Sequence, residues 1–181
     1  MQRGAADAAV MFIGLAPGAS AIGAQQAFAG NSMARLRSWI SEAGLDLTEE
    51  ECRAKFYFTS VVKCAVSPDS PGNRKVLWGN CHPFLWQQIN FVAPKLIVLL
   101  GSESIGFVLR TRDHAMTDVV GRIWKTADVF AEELFRPVEI DATWLGMPHP
   151  SGLSRLMNDS NIKSRAIAAL NACLDDAGLL A

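Results

Sequence analysis

The chain has 181 residues, half of them apolar, and its 17 Lys and Arg against 18 Asp and Glu give a formal net charge of −1. That length suits one domain with a sizeable core over residues 1–181, and no apolar run reaches the roughly 18–20 residues that a membrane span needs. The near-neutral balance argues against a protein that coats nucleic acid through many phosphate contacts, while leaving room for a local basic patch at Lys63, Arg74, Lys75 and Arg155.

The opening stretch MQRGAADAAVMFIGLAPG passes from one Arg straight into a strand-like run. It leaves no room for a cleavable signal, so a cytoplasmic protein is expected. Val10–Leu15 (VMFIGL) reads as a buried strand ending in a loop at Gly14 and Pro17. Met33–Ala43 places Met33, Leu36, Trp39 and Ile40 at helical spacing, with Asn31 or Ser32 as the cap and Gly44 as the stop. Phe56–Val62 (FYFTSVV) is β-branched and aromatic, a second strand. A loop rich in Pro, Ser, Gly and Asn follows over Ala65–Lys75.

Leu77–Val92 reads as a helix with Phe84, Leu85, Ile89 and Phe91 inward, and Pro94 ends it. Lys95–Leu100 (KLIVLL) is the most continuously apolar segment, as a central strand would be. Gly101-Ser102 opens a helix over Glu103–Leu109. Thr111–Asp141 suggests short strands at Gly121–Trp124 and Pro137–Ile140. Ala142–Met147 is a fourth core strand that runs into His149-Pro150-Ser151, and Ile162–Leu179 is a closing helix.

Strands alternating with helices predict an α/β fold, a three-layer αβα arrangement with a four-stranded, mainly parallel central sheet. Ligands in such folds bind beyond the carboxyl ends of the strands. Gly14–Gly18, Cys64–Arg74 and His149–Arg155 all fall there. The four cysteines, Cys52, Cys64, Cys81 and Cys173, form no CxxC pair. Free thiols are expected, without a self-contained metal site.

Three segments carry the chemistry: GLAPGASAIGAQQAFAGNSMARL at Gly14–Leu36, FTSVVKCAVSPDSPGNRK at Phe58–Lys75 with NCHPFLWQQI and PKLIVLLG after it, and PHPSGLSR at Pro148–Arg155. In this order the set resembles the uracil-DNA glycosylase superfamily, over most of Val10–Arg155. The first two segments are similar to families four and five, and HPSGLS to the family-one loop. The resemblance implies hydrolysis of the N-glycosidic bond of uracil in DNA, after the base is flipped from the stack. It implies uracil-containing DNA, single- or double-stranded, as the partner. A monomer with no membrane association is expected.

By resemblance, His149 donates to uracil O2, Phe28 stacks on the base, and Asn73 reads the uracil edge. Ser60 stands where family four has a base-reading Asn, and Gly14, Leu15 and Ala16 approach the base through the first loop. Asn31 replaces a family-five Asp and, with the Pro17 carbonyl, would position water. Leu153 matches a wedge that enters the stack. Ser151, Ser102, Ala19, Ser20 and Arg155 are candidates for DNA contacts.

Each residue also has an ordinary reading. His149 could end a strand, Phe28 could be core, Asn73 could mark a turn, Asn31 could be a helix cap, and Leu153 could be an exposed loop residue. In relatives of families four and five, four cysteines hold an iron–sulfur cluster. Only Cys64 and Cys81 match here, so no cofactor is expected. Gly18 and Ala21 stand where related enzymes carry bulk against the thymine methyl, and a fence from Gln25–Phe28 is expected instead. Two other readings stay open. One is a base- or DNA-binding module without hydrolysis. The other is a nucleotide-binding α/β protein, disfavoured because no Gly-rich phosphate loop follows the first strand.

Overall fold

The computed structural model describes residues 4–65, 74–109, 115–130, 137–151 and 154–180. Three strands are buried along their whole length: β1 (Val10–Gly14), β3 (Leu96–Leu100) and β5 (Thr143–Met147). β2 (Tyr57–Ser60) flanks β1, and β4 (Ile123–Lys125) flanks β5. The sheet order is β2-β1-β3-β5-β4. The first four strands in that order are parallel, with Phe12 beside Phe58 and Val98, and Val98 beside Leu145. β4 runs antiparallel, with Trp124 opposite Trp144.

The sheet is therefore mixed and five-stranded, not four-stranded. β4 has only three residues and exposed ends, so its sequence carries little of the apolar signal that marks the other strands. The second short strand expected at Pro137–Ile140 does not form; that segment is irregular.

Both faces of the sheet are covered, as a parallel sheet requires. Alternate residues of β1 divide between two cores. Val10 and Phe12 pack with Met33, Leu36 and Ile40 of α2 (Asn31–Glu42) and Leu170 and Leu174 of α8 (Ser160–Asp176). Met11 and Ile13 pack with Leu85 and Ile89 of α4 (Arg74–Val92) and Ile105 of α5 (Ser102–Leu109). In the first core the rings of Phe12 and Phe58 stack at 5.4 Å. Phe84 and Phe91 point outward, 57% and 77% exposed. Of the four residues the sequence suggested for the inner stripe, Leu85 and Ile89 lie there, with Cys81 and Val92 beside them.

Short helices complete the layers: α1 (Ala19–Gly23), α3 (Glu49–Lys55), α6 (Met116–Val119) and α7 (Thr126–Val129). α3 opens with a capping box, in which Thr48 accepts from the Glu51 backbone and Glu51 accepts from that of Thr48. α2 is capped by Gly30 with no side-chain bond, so neither Asn31 nor Ser32 serves as its cap. No helix among the described residues is long and apolar enough to cross a membrane.

Candidate active site

β1, β2 and β5 bring their carboxyl ends to one cavity of about 210 Å³. Gly14, Ala16, Pro17 and Gly18 come from the end of β1, and Ala19, Ser20 and Ala21 from α1. Phe28 comes from the segment before α2, Asn31 and Ser32 from its first turn, Thr59 and Ser60 from β2, and His149 from just beyond β5. This is where open α/β sheets place ligands, because the loops at that edge diverge around a rigid floor.

His149 is the best-defined member. Its Nδ1 accepts the backbone N–H of Ser151 at 3.1 Å. A nitrogen that accepts cannot carry the proton, so the neutral imidazole bears it on Nε2. Burial holds the His149 pKa below its usual 6.5. The ring is thus a neutral donor near pH 7. It lies against Gly101, whose φ is +94° and where an added Cβ would come within 3.1 Å of the His149 Cβ, so there is no comfortable place for a side chain.

Phe28 lines the cavity and packs on the core beside Phe58, with ring centroids 5.9 Å apart. Its ring tip would lie 2.9 Å from a Cβ on Gly14, so a bare backbone at the end of β1 lets the ring come close. Phe28 has a φ of +52°. That left-handed conformation costs a side-chain-bearing residue roughly 1–2 kcal/mol, so its surroundings must hold it.

The Ser60 hydroxyl donates to the Val62 carbonyl at 2.7 Å. Its donor is spent within the chain, which leaves Ser60 an acceptor toward the cavity. Thr59, unmarked in the sequence motifs, is 3% exposed and also lines the cavity. Its hydroxyl donates to Gln88 Oε1 at 2.8 Å and accepts from Lys63 Nζ at 2.9 Å. Lys63 Nζ also donates to the Ser60 carbonyl at 2.6 Å. A buried polar network of this kind fixes the end of β2.

Other candidates lie elsewhere. Leu15 is not in the cavity lining; its carbonyl accepts from the Val62 N–H at 2.8 Å. Ser151, Ser102 and Arg155 also lie outside the lining. Ser102 is exposed at the first turn of α5, and Arg155 is exposed beside the 3-10 turn Leu156–Asn158. The Ser151 carbonyl accepts from Arg35 at 2.7 Å. Asn73 and Leu153 fall outside the described residues. Gln25 and Gln26 do not line the cavity, and Gln26 instead borders a shallow groove with Glu49, Glu50, Arg53 and Ala54. That stretch contributes only Ala27 and Phe28 to the wall. Its backbone turns left-handed at Gln25, a feature that apolar periodicity does not reveal.

The cysteines are divided between the two cores and the surface. Cys52 and Cys173 are buried in the core on the α2 and α8 side, Cys81 is buried on the α4 side, and Cys64 is exposed. Burial raises the Cys52 thiol and pushes that of Cys173 up to about 11, against the thiolate a metal needs. Among the described residues no group of three or more His, Cys, Asp or Glu could hold a metal ion. The set does not fit a four-cysteine cluster.

The strand ends of this α/β sheet thus bring together an imidazole N–H donor, an aromatic ring and a wall of small residues. The chain belongs to the uracil-DNA glycosylase superfamily, whose family model matches residues 1–172. It is 30% identical over 119 residues to a type-4 uracil-DNA glycosylase of Pyrobaculum aerophilum, covering 64% of this chain and 57% of that protein. It is 30% identical over 129 residues to the type-4 enzyme of Sulfurisphaera tokodaii, covering 68% of this chain and 56% of that protein. The matched part thus spans little more than half the length of either relative.

Proposed function

We propose that this protein is a monofunctional glycosylase that removes uracil from DNA. The observation that carries the reading is the His149 imidazole, set as a neutral Nε2–H donor at the mouth of β5 and sharing a cavity with Phe28. The C1′–N1 bond breaks with its electron pair on the base, and charge develops on uracil O2. A preorganised donor there stabilises the leaving anion. Phe28 stacks on the flipped ring. Ser60, acting as an acceptor, suits the uracil N3–H and disfavours the bare N3 of cytosine.

Water adds its oxygen to C1′ and gives up a proton to solvent. Asn31 and Pro17 both line the cavity, and the Asn31 amide with the Pro17 carbonyl would orient the water. Neither is a strong base, but capture of an oxocarbenium-like sugar asks mainly for orientation. On the DNA side, the Ser151 hydroxyl, Ser102, Arg155 and the backbone of Ala19 and Ser20 would meet phosphate, with Asn73 at the base edge and Leu153 as wedge. The protein would act as a monomeric single domain in the cytoplasm.

One observation favours a second reading, a uracil-binding module without hydrolysis: the described cavity lining contains no carboxylate. A single assay separates the two. Oligonucleotides carrying one uracil are incubated with the protein and cleaved with alkali. Strand breaks at uracil, abolished by His149→Ala, support the enzyme. Retention of labelled DNA without breaks supports the module.

A further inference from the structure

The segment Gln25–Gly30 holds the aromatic wall of the cavity in a costly backbone shape. Gln25, Phe28 and Gly30 all have positive φ, at 52°, 52° and 64°. Side chains do not choose such angles without restraint, and residues kept there by their surroundings cluster at functional sites. Beside the backbone bonds of Gln25 to Ile22 and Gln26 to Ala21, the segment is held by Arg53, on the outer helix α3. Its two terminal nitrogens donate to successive carbonyls, Nη1 to that of Ala27 at 2.9 Å and Nη2 to that of Phe28 at 2.9 Å. Glu49, one turn earlier, grips the other side of the guanidinium, at 3.0 Å from Nε and 2.7 Å from Nη2. The Arg53 side chain is only 12% exposed.

The geometry points to Arg53 as a positioning residue that sets the Phe28 ring against the base by clamping the Ala27 and Phe28 carbonyls. It touches neither base nor sugar, and the inference rests on the reading of Phe28 as the stacking ring. A planar fork reaches two carbonyls in a fixed relation, whereas an ammonium acts as a point donor. Arg53→Lys therefore keeps the charge and the pairing with Glu49 but loses the bridge. Glu49 and Arg53 are four residues apart, so the helix presents them on one face.

The test is a double-mutant cycle read in single-turnover uracil excision and in inhibition by free uracil, with thermal midpoints recorded for each variant. Arg53→Ala and Arg53→Lys are each expected to lower the rate about tenfold and to weaken uracil inhibition by a similar factor. In a Phe28→Ala background the Arg53 replacements should change either readout by less than twofold, because the ring they position is gone. An effect of Arg53 that persists in full without Phe28 overturns the inference. A second readout needs no activity: the nuclear Overhauser contact between the Phe28 ring and the Gly14 α-protons. It should be present in the wild type and lost in Arg53→Lys, which is the milder change if Arg53→Ala does not fold. If that contact survives in Arg53→Lys, Arg53 does not position the ring. If the wild type leaves uracil in place, the glycosylase reading fails, and this contact alone still decides the role of Arg53.

Discussion

The backbone N–H of Ser151 points at His149 Nδ1, and this one bond decides which imidazole nitrogen can donate. Protonating Nδ1 would set two N–H groups against each other, in addition to placing charge in a half-buried site. The turn after β5 thus selects the donating nitrogen, while burial favours the neutral ring.

Replacing His149 by Ala should lower the single-turnover rate of uracil removal by about two orders of magnitude or more, the usual scale for one lost oxyanion donor. DNA affinity should change little. A variant within threefold of wild type removes His149 from the mechanism.

The pH profile follows from the lowered pKa. The neutral donor persists below 6.5, so the acid limb of the rate should have its midpoint below that value and vanish in the Ala variant. Stability changes in the same direction. Below 6.5 the unfolded His149 takes up a proton that the folded one resists, so this residue disfavours folding progressively as pH falls toward its folded pKa. A rate midpoint above 6.5 contradicts the assignment.

Leu153→Ala should reduce excision from duplex more than from single strands, because flipping a base out of duplex costs a few kcal/mol that single strands mostly avoid. Equal losses on both substrates mean that Leu153 is no wedge.

As purified, the protein should carry no stoichiometric iron and show no iron–sulfur absorbance. The sheet separates Cys81 from Cys52 and Cys173, and burial disfavours two of the thiolates. One cluster's worth of iron per chain in elemental analysis contradicts this.

The stretch Gln25–Phe28, expected to fence off a thymine methyl, reaches the cavity lining through Ala27 and Phe28. With Gln25 and Gln26 outside the lining, Gln25→Gly and Gln26→Gly should leave activity on a T·G mismatch as it is in the wild type. A new thymine activity in either variant would bring those side chains back to the pocket.

The three inner strands β1, β3 and β5 are legible because each is buried along its whole length and reads as a nearly continuous apolar run. VMFIG, LIVLL and TWLGM needed no partner to be recognised. β4 was marginal for the opposite reason, since an exposed three-residue edge has no such run. α3 is not among the elements expected from the sequence, although Thr48 and Glu51 form a capping box at its start. Its seven residues bury only Cys52, so the apolar period is absent. His149, Phe28, Asn31 and Ser60 could be found from motif order. The Thr59–Gln88–Lys63 network and the Arg53 clamp could not, because they join residues 25 to 29 positions apart through side-chain geometry.

α2 ties both walls of the cavity to one rod. Asn31 in its first turn lines the cavity, and Arg35 in the next holds the Ser151 carbonyl beside His149. Met33, Leu36 and Ile40 seat the same helix in the core, and Asn171 and Lys163 of α8 fasten its far end at Ala43 and Glu42. With both walls joined to one helix, the mouth should move with that helix and not on its own. Amide protons over residues 33–40 should then exchange with solvent only through opening of the whole domain, and a bound base should slow their exchange as much as it raises the melting temperature predicts.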